Sequence, residues 1–180
     1  MNRAAIAALL SFAACKHAHQ AEPPKAPAEK PAAAVPAPVP PAAPIDKTPI
    51  VVDLSKFEAV GGLKERGHHG FDDGESRTFY YSNGNAEVKI KVPAAGEYEV
   101  IVSASCTPAL NEFAKFKLHV DGTERTIVTL TAEDAKEYKI PAALSAGEHK
   151  LGIEFTNDIY KENEYDRNLY VNGVKLVRVK

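Results

Sequence analysis

From residue 50 to the C-terminus, apolar and polar residues alternate with a period of two. In one run Val88 and Ile90 are separated by a charged residue, and in another Phe116 and Leu118 are separated by a lysine. Successive residues of an extended strand face opposite sides of a sheet, so each run has one apolar face and one polar face. Strands of this kind are typical of antiparallel sheets that bury one face and expose the other. The alternation therefore predicts an all-β domain.

Dipeptides that favour tight turns separate the apolar runs. They are Asn83-Gly84, Ala95-Gly96, Asp121-Gly122, Gly147-Glu148 and Asn172-Gly173. Roughly eight to ten short strands joined by such turns favour a two-layer antiparallel β-sandwich, and among these a jelly roll. The predicted core consists of Val88, Ile90, Val100, Val102, Phe116, Leu118, Val120, Leu151, Ile153, Phe155, Leu169 and Val171.

The segment before this domain has a different composition. Residues 21–49 contain ten of the chain's 13 prolines, mixed with alanine. Proline removes backbone donors and favours extended polyproline conformations, so the stretch is expected to be a disordered, semi-rigid spacer rather than part of a core. The predicted organisation is a signal segment at 1–15, a Pro/Ala-rich linker at 16–49 and a β-sandwich at 50–180.

The first fifteen residues have the pattern of a signal segment. Arg3 precedes an apolar run over residues 4–14, which is too short to span a bilayer. The run ends in Phe12-Ala13-Ala14-Cys15, which resembles a bacterial lipoprotein cleavage site, and this resemblance implies lipidation of Cys15. Lys16 after the cysteine is compatible with an outer-membrane lipoprotein of the bacterial cell envelope, facing the periplasm or the exterior. The alternative is ordinary secretion without a lipid anchor.

Charge and motif content argue against several functions. The formal net charge is -2, which gives no basic field for nucleic acid. The sequence has no Gly-rich phosphate loop, nucleophile elbow or zinc-ligand spacing, which argues against an enzyme. Cys106 lies among small apolar residues and is predicted to be a buried free thiol.

Two clusters of polar residues could bind a metal ion. In the first, residues 67–74, two adjacent histidines and the pair Asp72-Asp73 could act as ligands. Adjacent histidines in a Gly-rich stretch are more often solvated loop residues, and Asp72-Asp73-Gly74 is a turn sequence by itself. The structural interpretation is therefore preferred for this cluster.

The second cluster lies near the C-terminus. Asp158 and Asp166 stand at the two ends of one loop, and Glu112, in another break, could reach the same rim if the loops are neighbours. Calcium takes six to eight oxygen ligands from carboxylates, amides, carbonyls and water. The alternative is a structural loop in which Arg167 pairs with Asp158 or a neighbouring glutamate.

This second cluster also carries a family resemblance. Phe155-Thr156-Asn157-Asp158 and Asp166-Arg167-Asn168-Leu169 occur in the order and setting seen in the calcium-dependent xylan-binding carbohydrate-binding modules, which the segment resembles. The resemblance implies a jelly roll with Ca²⁺ at the sugar-binding site. Transferred to this sequence, the implied metal ligands are Asp158 and Asp166, followed by Asn157, Asn168 and Glu112. The residues implied to contact the sugar are Tyr160, Tyr165 and Arg167, although the tyrosines could equally pack at the rim.

Two functions follow as hypotheses. The first is non-catalytic, calcium-dependent binding of a polysaccharide or glycoconjugate by a domain attached to the membrane through a lipid anchor. The second is a structural or protein-interaction β-sandwich in which calcium only stabilises a loop.

Overall fold

The computed structural model describes residues 45–180. The predicted signal segment, the lipidation site Cys15 and most of the predicted linker lie outside these residues. In the part of the chain that is described, no helix has the length and apolar character needed to cross a membrane.

The described chain is built from strands with two short helical turns. These turns are a 3-10 helix at Leu54–Lys56 and α1 at Gly62–Arg66. In chain order the strands are β1 (Ile50–Val51), β2 (Glu58–Ala59), β3 (His69–Asp72), β4 (Arg77–Tyr80), β5 (Gly84–Val92), β6 (Gly96–Thr107), β7 (Lys115–Val120), β8 (Thr123–Thr129), β9 (Lys136–Leu144), β10 (Gly147–Phe155), β11 (Tyr160–Lys161), β12 (Tyr165–Asp166) and β13 (Asn168–Arg178).

The strands form two antiparallel layers and one small hairpin. The first sheet has the order β3-β4-β13-β6-β9, with β1 beside β13, and the second has the order β2-β5-β10-β7-β8. Strands distant in sequence, such as β6 and β13, are neighbours, as expected when a chain crosses repeatedly between two sheets. The predicted two-layer antiparallel β-sandwich is confirmed.

The space between the sheets is filled by the inward residues of the period-two runs. All twelve predicted core residues are buried, and Phe116, Leu118 and Phe155 are completely inaccessible. Burying one such side chain contributes about 1.5–3 kcal/mol relative to leaving it in water. Cys106 is a buried free thiol as predicted, and burial raises its pKa.

One predicted turn is wrong. Asn172-Gly173 lies inside β13, where the register with β6 shifts between Val171 and Gly173. Because β6 provides a pairing partner on both sides of this point, the extra residue is absorbed as a bulge and the strand does not reverse. Asn172 accepts a hydrogen bond from the Ser105 hydroxyl at 2.9 Å across the same two strands. By contrast, Asp121-Gly122 does form the turn between β7 and β8, with both residues at positive φ.

The helix α1 is seated on the second sheet. It is five residues long and is followed by Gly67, which has the left-handed conformation that often comes directly after a helix. Leu63 is 1% exposed and packs over Gly84, where an added Cβ would lie only 2.6 Å from the Cβ of Leu63. This close approach fixes α1 beside the start of β5, and with it the last helical residue, Arg66.

Candidate functional site

The small hairpin of β11 and β12 brings the two predicted aspartates to one face. Tyr160 pairs with Asp166, and Asp158 lies two residues before Tyr160. Directly opposed residues of an antiparallel pair point to the same side, so Tyr160 and Asp166 share one face of the hairpin, and Asp158 lies on the chain that leads into it. They line an open pocket of about 650 Å³, a size that suits a small ligand. The side chains around this pocket are Arg66, His68, Tyr81, Ser82, Asn83, Asp158, Tyr160 and Asp166.

The opposite wall comes from a segment some eighty residues earlier. Asn83 joins the two walls, because its Oδ1 accepts a hydrogen bond from the Asp158 backbone N–H at 2.7 Å. Arg66 donates from Nε to the Ser82 hydroxyl at 3.1 Å and from Nη2 to the Asn83 carbonyl at 2.6 Å. The Tyr81 backbone N–H donates to the His68 carbonyl at 2.8 Å. These bonds hold the rim of the pocket in one arrangement.

Tyr81 provides an aromatic surface on this wall, and contacts with two other aromatic rings hold it in place. Its ring stacks on Phe79 with centroids 4.5 Å apart and meets Tyr170 edge-on at 6.3 Å. The side chain is 45% exposed, so part of the ring faces the pocket. Aromatic rings held in this way can pack against an apolar ligand surface at a low cost in conformational entropy.

Within residues 45–180, one oxygen of the Asp158 carboxylate is left unsatisfied. Its Oδ1 is buried and has no hydrogen-bond partner among the described residues. Burial, followed by repulsion from the nearby Asp166 carboxylate, raises the pKa of Asp158 above its usual range. A cation between the two carboxylates would reverse both effects, because it would replace lost hydration and offset the repulsion.

Asn168 presents a second oxygen of the same kind. Its Nδ2 donates to Oδ2 of Asp166 at 2.8 Å, which places the amide beside the carboxylate. The residue is 6% exposed, and its Oδ1 has no partner within residues 45–180. Unpartnered buried oxygens are rare in proteins and need an explanation. Asp158, Asp166 and Asn168 thus offer the hard oxygen donors that calcium prefers.

Only two carboxylates take part in this cluster. In the described part of the chain, no three His, Cys, Asp or Glu side chains converge in a group that could hold a metal ion. A calcium ion at Asp158 and Asp166 would complete its six to eight ligands with amide, backbone, water or ligand oxygens.

Glu112 does not reach the pocket, contrary to the expectation from sequence. Its carboxylate forms ion pairs with Arg167 at 3.6 Å and with Lys115 at 3.7 Å. The backbone bridge between Ala109 and Glu112 fixes this loop on the other side of Arg167. The two positive partners, rather than a metal ion, account for the position of Glu112.

Arg167 also has a different role from the predicted sugar contact. The residue is 4% exposed, and its guanidinium donates to the backbone carbonyls of Glu112 at 3.2 Å, Asn157 at 2.6 Å and Ala109 at 2.5 Å. These bonds use all three guanidinium nitrogens to join the loop at 109–112 to the chain at Asn157. Arg167 therefore orders the loops behind the pocket, as in the structural alternative in which it pairs with a neighbouring glutamate.

Of the remaining predicted residues, Asn157 and Tyr165 lie outside the pocket lining and Tyr160 belongs to it. The Asn157 amide is occupied, because its Oδ1 accepts from the Lys115 N–H at 2.7 Å and its Nδ2 donates to the Phe113 carbonyl at 3.0 Å. Tyr165 is half-buried and pairs with Lys161 in the hairpin, away from the described pocket lining. Tyr160 is 65% exposed and does line the pocket.

The histidine cluster at residues 67–74 is dispersed by the fold. His68 lines the pocket, whereas His69 is half-buried in β3 and contacts the Tyr80 ring edge-on at 4.7 Å. Burial lowers the pKa of His69 to about 4. Asp72 accepts the backbone N–H groups of Gly74 and Glu75, which is the turn geometry expected from its sequence. No metal-binding group forms from these residues in the described structure.

Sequence reasoning missed Arg66, Tyr81 and Asn83. A signal for Tyr81 was present, because Phe79 in β4 and Tyr81 just after it alternate with buried residues, and polar residues are usual at such outward positions. Arg66 and Asn83 had no comparable signal, since only the packing of α1 on β5 brings them to the pocket.

The fold of the chain is similar to that of the jelly-roll carbohydrate-binding modules. The first domain of carbohydrate-binding module family 36 in a multidomain xylanase, from the hindgut metagenome of Trinervitermes trinervoides, matches with a TM-score of 0.53 at 11% identity, covering 73% of this chain and 98% of that chain. A family 35 module from Clostridium thermocellum gives 0.51 at 16% identity, covering 73% and 99%. These similarities confirm the predicted jelly roll.

The sequence comparison is more specific. Residues 99–180 match the model of family 60, a Ca-dependent carbohydrate-binding module that binds xylan. A family 36 module solved in complex with calcium and xylotriose matches with a TM-score of 0.50 at 12% identity, covering 72% of this chain and 98% of that chain. The predicted resemblance is confirmed, and calcium is confirmed as the cofactor of the matching family. No curated protein matches the chain in sequence.

Proposed function

We propose that this domain is a non-catalytic, calcium-dependent carbohydrate-binding module for a polysaccharide. The observation that carries the proposal is the pair Asp158 and Asp166 at an open pocket, with unpartnered buried oxygens on Asp158 and Asn168. The family match covers these three residues and adds independent support.

The chain's own residues would divide the work of binding. Asp158, Asp166 and Asn168 hold the calcium ion. Bound calcium supplies coordination positions at which two neighbouring sugar hydroxyls can replace water. Tyr81 and Tyr160 flank the sugar ring and exclude water from its apolar faces. Arg167 and Asn157 keep the two loops in register, so the carboxylates are positioned before the ligand arrives.

The same loop bonds argue against the alternative that calcium only stabilises a loop. Arg167 and Asn157 already join the loop at 109–112 and the start of β7 to the segment after β10 through five hydrogen bonds to or from the backbone. A metal ion is therefore not needed to order this part of the domain, whereas Asp158, with its unsatisfied oxygen, lines the pocket.

The experiment is an isothermal titration of xylo-oligosaccharide into the protein, in calcium and in excess chelator. We expect binding in calcium and none in chelator. Asp158→Asn and Asp166→Asn should each abolish binding, and Asp134→Asn, an exposed aspartate outside the pocket lining, should not. A glycan panel that gives the same blank result with calcium and with chelator would refute the proposal.

We further propose that Cys15 carries a lipid anchor and that the proline-rich segment spaces the domain from a bacterial envelope membrane. The support is the cleavage-site sequence and the spacer composition alone. Incorporation of labelled palmitate that is lost in Cys15→Ser is the expected result, and a wild-type chain that takes up no label would refute it.

A further inference from the structure

Arg66 is the charged residue of the pocket that the proposed function does not use. It is the last residue of α1 and is held against the rim by its bonds to Ser82 and Asn83. These bonds use Nε and Nη2 and leave Nη1 for another acceptor. A guanidinium fixed by its own side-chain bonds can bind an anion with little further loss of freedom.

The described bonds of Arg66 end on neutral oxygens rather than on either aspartate. Within the described residues no ion pair joins Arg66 to Asp158 or Asp166. Arg66 is therefore not the structural counter-ion of the carboxylate pair, and its positive charge at the pocket is open to a ligand.

The balance of charge indicates what that partner is. Leaving His68 aside, the pocket lining carries two carboxylates and one guanidinium, a formal net charge of one negative unit. A calcium ion would convert this to one net positive unit. Tyr81, Ser82, Asn83 and Tyr160 in the lining carry no formal charge, and the pair formed by Arg167 and Glu112 cancels outside the pocket. A loaded pocket of this kind favours an anionic ligand over a neutral one of the same shape.

We propose that the pocket selects an acidic glycan, a sugar chain bearing a carboxylate, and that Arg66 determines this preference. The inference rests on the proposed function and adds the substrate class to it. The carboxylate accepts a charge-assisted hydrogen bond from Nη1 of Arg66 while the sugar occupies the calcium side of the pocket. Because Arg66 is exposed, we expect a preference of about tenfold, near the lower limit for hydrogen bonds to charged groups.

The test compares two matched ligands on the full chain in calcium. The first is a xylo-oligosaccharide with a glucuronic acid substituent, and the second is the same compound after reduction of the carboxyl group to an alcohol. We expect the acidic compound to bind about tenfold more tightly, with the difference shrinking in high salt. Arg66→Gln should remove the preference, so that the acidic and the reduced compound bind this variant with equal affinity. Lys64→Gln, an exposed cation on the same helix that does not line the pocket, should change neither.

Calcium affinity in the absence of sugar gives an independent measurement. Arg66→Gln removes a positive charge near the ion, so calcium should bind more tightly to this variant than to wild type. If Arg66 only supported the rim, the same substitution would weaken calcium binding, and that result would overturn the inference. Arg66→Lys keeps the charge and should retain a measurable preference, which provides a second variant if the glutamine variant folds poorly.

The outcomes separate this inference from the proposed function. Equal affinity for the two compounds in calcium would overturn the selection of acidic glycans and leave calcium-dependent binding intact. A preference that survives unchanged in Arg66→Gln would overturn the role of Arg66. If neither compound binds in calcium, both the proposed function and the inference are overturned.

Discussion

Asp121 and Asp158 have the same side chain in opposite environments. Both oxygens of Asp121 are satisfied, by the Lys150 N–H at 2.9 Å and by Nδ1 of His149 at 2.8 Å, and the Lys150 bond is the first cause that lowers the Asp121 pKa. Asp158 has a buried oxygen without a partner among the described residues, and burial raises its pKa. The comparison indicates that Asp121 closes a turn of the scaffold, whereas Asp158 has an oxygen that residues 45–180 leave open to an external partner.

Neutralising the two carboxylates separately tests this difference between Asp158 and Asp121, and it should give the largest effect. Asp158→Asn should reduce calcium and glycan affinity by more than about a hundredfold, because loss of a charged ligand from a two-carboxylate site removes most of the attraction for the ion. Asp121→Asn should leave both affinities within about twofold of wild type, since Asp121 is a structural residue. Calorimetric titration of calcium into each variant measures both effects. Equal losses in the two variants would remove the distinction between them.

In the absence of calcium, Asp121→Asn should destabilise the fold more than Asp158→Asn does. Asp158→Asn removes a carboxylate whose ionised form is disfavoured by burial, so the metal-free variant should be at least as stable as wild type. Asp121→Asn replaces one of the two oxygens that bond to Lys150 and His149, so it loses one of these bonds and should lower the free energy of unfolding by about 1 kcal/mol. Denaturant unfolding in chelator provides the values, and a metal-free Asp158→Asn that is clearly less stable than Asp121→Asn would contradict the assignment.

Arg167 tests whether the loops behind the pocket are ordered without metal. Replacing it with methionine keeps much of the volume and removes one donor from each of three backbone carbonyls, of which those of Ala109 and Glu112 still accept each other's N–H. We expect a loss of about 2–4 kcal/mol in the free energy of unfolding, in chelator as well as in calcium. Arg178→Met is the matched control, because Arg178 also donates to two backbone carbonyls but lies half-buried at a strand end, and it should cost less than Arg167→Met. A full rescue of Arg167→Met by calcium would mean that the ion, and not the guanidinium, orders the loops.

The scaffold pair Asp121 and His149 should contribute a measurable part of the pH dependence of stability. The hydrogen bond to Asp121 raises the pKa of His149, so the stabilisation from His149 is complete below its ordinary pKa of 6.5 and is lost as the pH rises through the higher folded value. The pKa of Asp121 is lowered, so its contribution is present above 3.8 and is lost as the pH falls through the lower folded value. Melting temperature followed from pH 3 to about 9 should therefore be flatter in His149→Gln than in wild type. Identical profiles would show that the pair does not contribute.

The sandwich could be predicted from sequence because its signals are local. Val88 and Leu118 face the core as the period of two requires, and Asp121-Gly122 turns where its conformational preference allows. Asn172-Gly173 has a turn sequence but lies in a bulge, because pairing with β6 continues on both sides. At Asn172-Gly173, pairing with β6 overrides the local preference for a turn, and the sequence pattern does not identify β6 as the partner of this strand.

The pocket could be predicted only in part, for the same reason. Asp158 and Asp166 lie close in sequence and are joined by one hairpin, so their proximity could be inferred from the loop itself. Glu112 was placed wrongly because its distance depends on the loop at 109–112, which Arg167 and Lys115 hold elsewhere. Arg66 reaches the pocket only because Leu63 fits over Gly84, a contact between two elements that no periodicity encodes.

The most direct test of the central claim is a crystal structure of the domain grown with calcium and a bound oligosaccharide. We predict one calcium ion at about 2.3–2.6 Å from oxygens of Asp158 and Asp166, with sugar hydroxyls among its other ligands. A structure in which both carboxylates point away from each other, or turn to Arg66 and leave calcium unbound at saturating concentration, would contradict the account.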